Sequence, residues 1–210
     1  MKLDKPKLPK ELNELDVSNL LEEDRYISRG IIRSFGINEL PEGKVTFDQI
    51  HFQDVSFGGI QFEQVEFIDC RFDRCDLSNV NLSDAIIHRV EISQSKLVGM
   101  QCPSSRLGHM LIHDCVANYA SFSFSQFKNV RFQQTSLSKS DFFESGFTKV
   151  EFDTCELDGA NFSETSLTNI DLSTCTYEQV TVSVDKLVGC TVSTEQALGF
   201  AKSLGLVIKD

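Results

Sequence analysis

The chain has 210 residues, 40% of them apolar, and a formal net charge of −11. That is enough apolar material for the core of one domain, while the acidic balance argues against direct nucleic-acid binding, which depends on neutralising phosphates with Lys and Arg. No run of eighteen apolar residues is present to cross a membrane, and the opening MKLDKPKLPKELNELD lacks an apolar signal core, so a cytoplasmic protein is expected.

Residues 1–44 read as an N-terminal arm followed by a degenerate cap. Pro6 and Pro9 mark a loose arm. An inward apolar frame persists weakly through Leu15/Val17, Ile27, Ile32 and Phe35/Ile37, broken by Glu22, Arg25 and Glu42. An irregular coil is the first reading and a short helix near 11–24 the alternative.

From Val45 to Thr194 the chain repeats every five residues with no insertion or deletion: VTFDQ IHFQD VSFGG IQFEQ VEFID CRFDR CDLSN, and onward. The third residue of each unit, from position 47 to 192, is apolar in all thirty units, where composition alone would place about twelve. Thirteen of the thirty are Phe. The first residue is small or aliphatic in every unit but the one beginning at Asp185, and it is never aromatic. Inward, outward, inward, outward, outward describes a short period-2 strand and then a turn. A helix of period 3.6 cannot keep a five-residue stripe on one face. Single units cannot bury their own apolar pair, so stacking must bury it, as in other solenoids.

Residues 195–210 read as a C-terminal helix and tail. Ser193 and Gln196 stand at capping-box spacing. Ala197, Leu198, Ala201 and Leu204 form an apolar stripe, Gly205 can stop the helix, and Leu206, Val207 and Ile208 follow as a strand-like tail.

Catalytic and metal chemistry find no constellation. Cys70, Cys75, Cys115, Cys155, Cys175 and Cys190 occupy the small inward slot and Cys102 a large one, which reads as seven buried small hydrophobes. Cys155 and Cys175 would stack in adjacent coils, although a disulfide is not expected in the cytoplasm. His51, His88, His109 and His113 fall on outward slots without convergent Cys or carboxylate partners, so no metal site is expected. A filled solenoid offers no pocket for a nucleophile, base and orienter. Neither an enzyme nor a cofactor is expected.

The five-residue pattern resembles that of the pentapeptide-repeat family over 150 of the 210 residues. The resemblance implies an all-β, right-handed quadrilateral β-helix with four units per coil; thirty units would then make a rod of roughly 36 Å. Within the family, CVANYASFSFSQFKNVRFQQTSL (115–137) and STEQALGFAKSLGLVIKD (193–210) are similar to the Qnr-type quinolone-resistance proteins of Gram-positive bacteria. That likeness implies a DNA-mimicking rod that binds the type II topoisomerases DNA gyrase and topoisomerase IV, protects them from quinolones, and dimerises end to end through its C-terminal segment. The chain departs from plasmid-borne Qnr proteins of Gram-negative bacteria, whose loops interrupt the repeat, and so resembles the loopless branch. A protein-binding module with a different partner is the alternative.

The repeat segment carries −10 of the net charge. With the implied twenty-residue coil, one side collects Glu63, Asp84, Asp141, Glu144 and Glu164 with no basic residue of its own. It also holds Phe124 and Phe143 in outward slots, whereas the other thirteen Phe of the repeat point inward. These seven residues are the expected topoisomerase-binding face, with the rings as apolar anchors inside a charged rim. A solvated face that keeps the rod soluble, with the two rings partly buried at a corner, is the competing reading. Leu198, Phe200, Ala201, Leu204 and Leu206 are the expected homodimer contacts.

Overall fold

A computed structural model describes residues 1–15, 25–33, 43–62, 64–203 and 205–209. Val17, Glu22, Phe35, Ile37, Glu42, Glu63, Leu204 and most of the alternative helix at 11–24 lie outside these residues.

The strands follow the repeat. They are β1 (Asn13–Glu14), β2 (Tyr26–Arg33), β3 (Thr46–Gln53), β4 (Glu66–Ile68), β5 (Arg71–Asp73), β6 (Ile86–Ser93), β7 (Arg106–His113), β8 (Gln126–Gln133), β9 (Gly146–Asp153), β10 (Asn161–Phe162) and β11 (Thr181–Val182). All pairing is parallel, and from β2 onward the step is twenty residues, as in Ile27 opposite Phe47 and Phe132 opposite Phe152. Four pentapeptides therefore close one coil, and the chain forms a parallel β-solenoid. We name its sides by their large inward residue: A (Phe47, Phe67, Ile87), B (Phe52, Phe72, Ile92), C (Phe57, Leu77, Leu97) and D (Phe62, Leu82, Cys102). The eight-residue strands cover sides A and B. Sides C and D are turns closed by bonds such as Ile60 N–H to the Phe57 carbonyl (3.0 Å) and Ser125 N–H to the Phe122 carbonyl (3.2 Å).

From Gln49 through Asn169, each described corner uses a left-handed residue two positions after the large inward one. Among the described residues, twenty-three non-glycine residues take positive φ, from Arg29 (56°) to Asn169 (63°). Side chains resist this conformation by roughly 1–2 kcal/mol. Asp and Asn, which tolerate it best, fill several of the positions. Inter-coil bonds offset the cost elsewhere: at Phe124 (φ 61°) the N–H reaches the Phe143 carbonyl at 2.9 Å.

Down the axis the large residues stack. Phe122, Phe142 and Phe162 lie 5.1 Å apart in near-parallel pairs, and Phe132 and Phe152 repeat this on side B at 5.2 Å. The small inward slot does more than fill space. At the D–A corner, Ser125 Oγ donates to the Cys102 carbonyl (2.8 Å) and accepts the Ser105 N–H (2.9 Å), although Ser125 is fully buried. Ser105, Ser145 and Thr165 make the same kinds of bond in neighbouring coils, so the hydroxyls form an internal ladder that satisfies the backbone at the turns.

At the N-terminus, Ile27 and Ile32 are buried beneath Phe47 and Phe52, so the inward frame continues below Val45. Asn13 and Glu14 pair with Gly30 and Ile31 as a strand, and the described residues 11–15 are not helical. The arm expected to be loose is docked. Gln49 Nε2 donates to the Lys7 carbonyl (3.0 Å), and the Lys7 N–H donates to Asp69 Oδ1 (2.9 Å). The Asp4 N–H reaches His109 Nδ1 (3.2 Å), and the Met1 ammonium meets Glu151 Oε1 (2.7 Å). The arm thus runs down the A–B corner across several coils, held by side chains that sequence reading left as plain surface.

At the C-terminus, helix α1 (Thr194–Ser203) has a reciprocal capping box: Ser193 N–H to Gln196 Oε1 (2.8 Å) and Gln196 N–H to Ser193 Oγ (3.2 Å). Gln196 Nε2 also donates to the carbonyls of Leu172 and Cys175, both at 2.9 Å, pinning the helix to the last coils. Gly205 (φ 82°) ends it, with Leu206 N–H returning to the Ala201 carbonyl. The expected stripe is rotated. Phe200 and Ala201 are half-buried, with Phe200 6.2 Å from Tyr177, whereas Ala197 and Leu198 face outward. Gln196 adds a polar attachment that the apolar stripe did not announce.

Candidate functional site

Side D is built from turns, so its outward residues sit on short segments fixed by the ladder beneath. The structure separates the candidates grouped by sequence. Asp84 and Glu144 are exposed at left-handed corners (φ 57° and 51°). Asp141 is committed internally: Oδ1 accepts Asn161 Nδ2 (2.8 Å) and the Phe143 N–H (3.0 Å), and Oδ2 accepts Ser123 Oγ (2.7 Å). It shapes the turn that presents Phe143. Glu164 accepts Ser183 Oγ at 2.8 Å and stands 4.0 Å from Lys186 Nζ. Glu63 lies outside the described residues.

The side is therefore less purely acidic than sorting by slot suggests. A shallow depression at the D–A corner brings Lys44 and Arg106 beside Asp84, Gln64 and Ser104. Lys186 reaches Glu164 from the far end. Lys186 reaches across from a neighbouring slot, which counting charges by slot cannot see. Among the described residues Glu144 makes no ion pair.

The two aromatic candidates do come together. Phe124 is 51% exposed and meets the half-buried Phe143 edge to face at 5.4 Å. A third ring was missed: Tyr119, 56% exposed, stands at the C–D corner. Lys139 Nζ lies 5.4 Å from its ring centre and 3.3 Å from its hydroxyl. Tyr119 and Phe124 occupy successive corner positions with φ 60° and 61°, so side D is bordered by an aromatic ring on each edge in this coil. An aromatic residue in the corner slot was the available signal, and it identified only Phe124.

The cysteines are free and, apart from half-buried Cys190, buried. Burial pushes the thiols of Cys70 and Cys102 up to about 12, and those of Cys75, Cys115 and Cys190 up to about 11, which leaves them unreactive. His88 and His109 do lie together, with ring centres 5.6 Å apart. Among the described residues no three His, Cys, Asp or Glu converge as metal ligands, and no described helix is long and apolar enough to cross a membrane.

The C-terminal candidates form a second surface. Leu198 is 43% and Leu206 60% exposed beside exposed Val207 and Ile208, while Phe200 and Ala201 turn toward the rod.

Known proteins similar to this chain share its repeat. The pentapeptide repeat region family matches residues 65–142 and 85–162, and the pentapeptide repeats family matches residues 155–176. The uncharacterized protein YisX of Bacillus subtilis (strain 168) is 43% identical over 211 residues, covering 98% of this chain and 97% of its own. Among solved structures, a trypsin-treated variant of QnrB1, a plasmid-mediated fluoroquinolone resistance protein, aligns with 19% identity and a TM-score of 0.45 over 86% of this chain and 99% of its own. HetL of the cyanobacterium Nostoc sp. strain PCC 7120, involved in heterocyst differentiation regulation, aligns with 11% identity and a TM-score of 0.41 over 85% of this chain and 93% of its own. The five-residue period, the twenty-residue coil and the matches to the two pentapeptide-repeat families make the chain a member of the pentapeptide-repeat family.

Proposed function

We propose that the rod is a non-enzymatic binding protein that docks on the type II topoisomerases DNA gyrase and topoisomerase IV through side D, in place of duplex DNA, and protects them from quinolones. One observation carries the choice of side: two half-exposed aromatic rings, Tyr119 and Phe124, border side D, while the diagonally opposite A–B corner is covered by the chain's own arm. Half-exposed rings in left-handed slots cost conformational energy and leave apolar surface in solvent, a combination that concentrates at binding surfaces. Glu144 and Asp84 supply the negative charge that speeds encounter with a cationic groove, and the rings slow dissociation. The stretches 115–137 and 193–210 add the sequence likeness to Qnr-type proteins, and the first of them contains Tyr119 and Phe124.

In the same reading Leu198, Phe200, Ala201, Leu204 and Leu206 join two rods through their C-terminal ends, the exposed apolar tail and the open edge of the last coil being covered by a symmetric partner. The division into an arm and cap (1–44), a repeat rod (45–194) and a dimerising tail (195–210) follows from these roles, in a cytoplasmic protein.

The test is a gyrase supercoiling assay with and without ciprofloxacin. Restored supercoiling in the drug, or inhibition without it, supports the reading. No effect in either arm, together with no co-purification of gyrase or topoisomerase IV subunits, favours a binding module with a different partner.

A further inference from the structure

The small inward slot of side C runs Val55, Cys75, Ser95, Cys115, Thr135, Cys155, Cys175 along the rod. Ser95 and Thr135 separate the earlier cysteines by a full coil. Cys155 and Cys175 alone are consecutive. Their coils are bonded at this point, Thr176 N–H donating to the Cys155 carbonyl at 2.9 Å and Glu156 pairing with Thr176 in register. The strand-like rise of about 4.8 Å places the two Cα atoms within the span a disulfide bridges.

The two thiols are unequal. Cys155 is enclosed, 1% exposed, with its Sγ directed at the Asp153 carbonyl (3.7 Å). Cys175 is 5% exposed and lines the cleft between the last coil and helix α1, with Tyr177, Gln196 and Phe200 among the other walls. The cleft has a volume of about 950 Å³, ample for a molecule the size of hydrogen peroxide. Cys175 Sγ is directed at the Phe152 carbonyl (3.5 Å), and the neighbouring Cys155 thiol, which keeps its own proton, lowers the Cys175 thiol below its ordinary range. A lowered thiol with access to a peroxide is the reactive one, and a protonated neighbour in contact is the resolving one.

We propose that Cys155 and Cys175 are a peroxide-responsive thiol pair whose oxidation staples the last coils beneath the C-terminal helix. The Cys175 thiolate attacks one oxygen of hydrogen peroxide; the O–O bond breaks, Cys175 becomes a sulfenic acid and the departing hydroxide takes a proton to leave as water. The Cys155 sulfur then attacks the sulfenic sulfur. The S–S bond forms, the S–O bond breaks and the hydroxide leaves as a second water with the Cys155 proton. Peroxide is the oxidant, and its two oxygens leave as two waters while two thiols become one disulfide. The bond would close beside the Cys175 carbonyl that holds Gln196, at the base of the helix.

The experiment treats the full chain with hydrogen peroxide, blocks remaining thiols and reads intact mass and non-reduced peptide maps. The wild type should lose about 2 Da through a single Cys155–Cys175 linkage, recovered by dithiothreitol. Ser and Thr already stand in this column, so Cys155→Ser and Cys175→Ser fit the slot. Cys155→Ser should lose the linkage and leave Cys175 labelled by the sulfenic-acid probe dimedone, whereas Cys175→Ser should give neither product. Retention of both thiols at peroxide levels that oxidise the chain's methionines, a linkage through any other cysteine, or dimedone labelling of Cys155 in the Cys175→Ser variant would overturn the proposal.

Discussion

Phe142 and Phe143 are neighbours in sequence and opposites in environment, which makes them the sharpest test of the register. Phe142 is fully buried and contacts six rings, with centre distances of 5.1–6.0 Å to Phe122, Phe127, Phe132, Phe147, Phe152 and Phe162. Removing about 200 Å² of buried ring at ~25 cal/mol/Å² gives about 5 kcal/mol. Measured Phe→Ala losses in cores run about 3–5 kcal/mol. For a domain of this size each kcal/mol shifts Tm by roughly 2–4 °C, so Phe142→Ala should lower Tm by roughly 6–20 °C. Phe143→Ala removes one edge-to-face contact at 5.4 Å and a half-buried ring, keeps the N–H bond to Asp141, and should cost about 1 kcal/mol, or about 2–4 °C. Phe142→Leu, which restores a residue found in nine of the thirty large slots, should recover most of the loss. Thermal melts followed by circular dichroism read all three. Equal losses for the two alanine variants, or a larger one for Phe143→Ala, would refute the inward and outward assignment.

Other perturbations probe other levels of the structure. Phe127→Asp buries an unpaired charge and should unfold its neighbouring coils, seen as loss of the strand signal; an unchanged Tm contradicts the filled axis. Ser125→Ala leaves the buried Ser105 N–H without its acceptor and should cost about 1–3 kcal/mol in urea unfolding, against less than ~0.5 kcal/mol for an exposed serine. Asp69 gives a pH signature. Burial alone would raise its carboxyl, but the Arg89 guanidinium (2.6 and 2.7 Å) and the Lys7 N–H outweigh burial and hold it below the usual carboxylate range. Its contribution is therefore complete above about pH 4 and is lost as pH falls through the lowered folded value. Protection of the Lys7 amide, relative to its intrinsic exchange rate, should fall below that pH and, at neutral pH, in Asp69→Ala; a Lys7 amide as protected in that variant as in the wild type would count against the docking. Sedimentation or light scattering should give a dimer at tens of micromolar, reduced to monomer by Leu198→Glu with Leu206→Glu, and a wild-type monomer would remove the C-terminal interface.

The rod was legible because its signal is redundant: thirty Phe, Leu, Ile or similar residues at one spacing leave no other period. The capping box at Ser193 and Gln196 was equally plain. What escaped the sequence is contact between elements far apart in it. Lys7 meets Asp69 across 62 residues and Asp4 meets His109 across 105, and neither partner has a pattern to announce it. Pro6 and Pro9 mark an extended segment, and extended segments dock as readily as they dangle. The hydroxyl ladder was half visible: Ser105, Ser125, Ser145 and Thr165 read as small fillers, while the donors they satisfy become apparent only once the turn backbone is in place. The slots of side D line up as a column, yet Lys186 reaches Glu164 from another slot, Lys44 and Arg106 stand beside Asp84, and Asp141 is occupied by bonds to Asn161 and Ser123. Slot counting fixes where a Cα sits, and a long side chain can reach past the corner.

Side D as the docking surface is tested most directly by measuring gyrase binding to three full-length rods at low and high salt. Asp84→Lys with Glu144→Lys alters side D at two exposed corners, and Lys128→Glu with Lys149→Glu is the matched change on side A. The side D variant should bind roughly tenfold more weakly at low salt, with the difference shrinking at high salt as screening hides the charges. The side A variant should stay within about twofold of wild type. Equal weakening by both variants, or by neither, would contradict docking through side D.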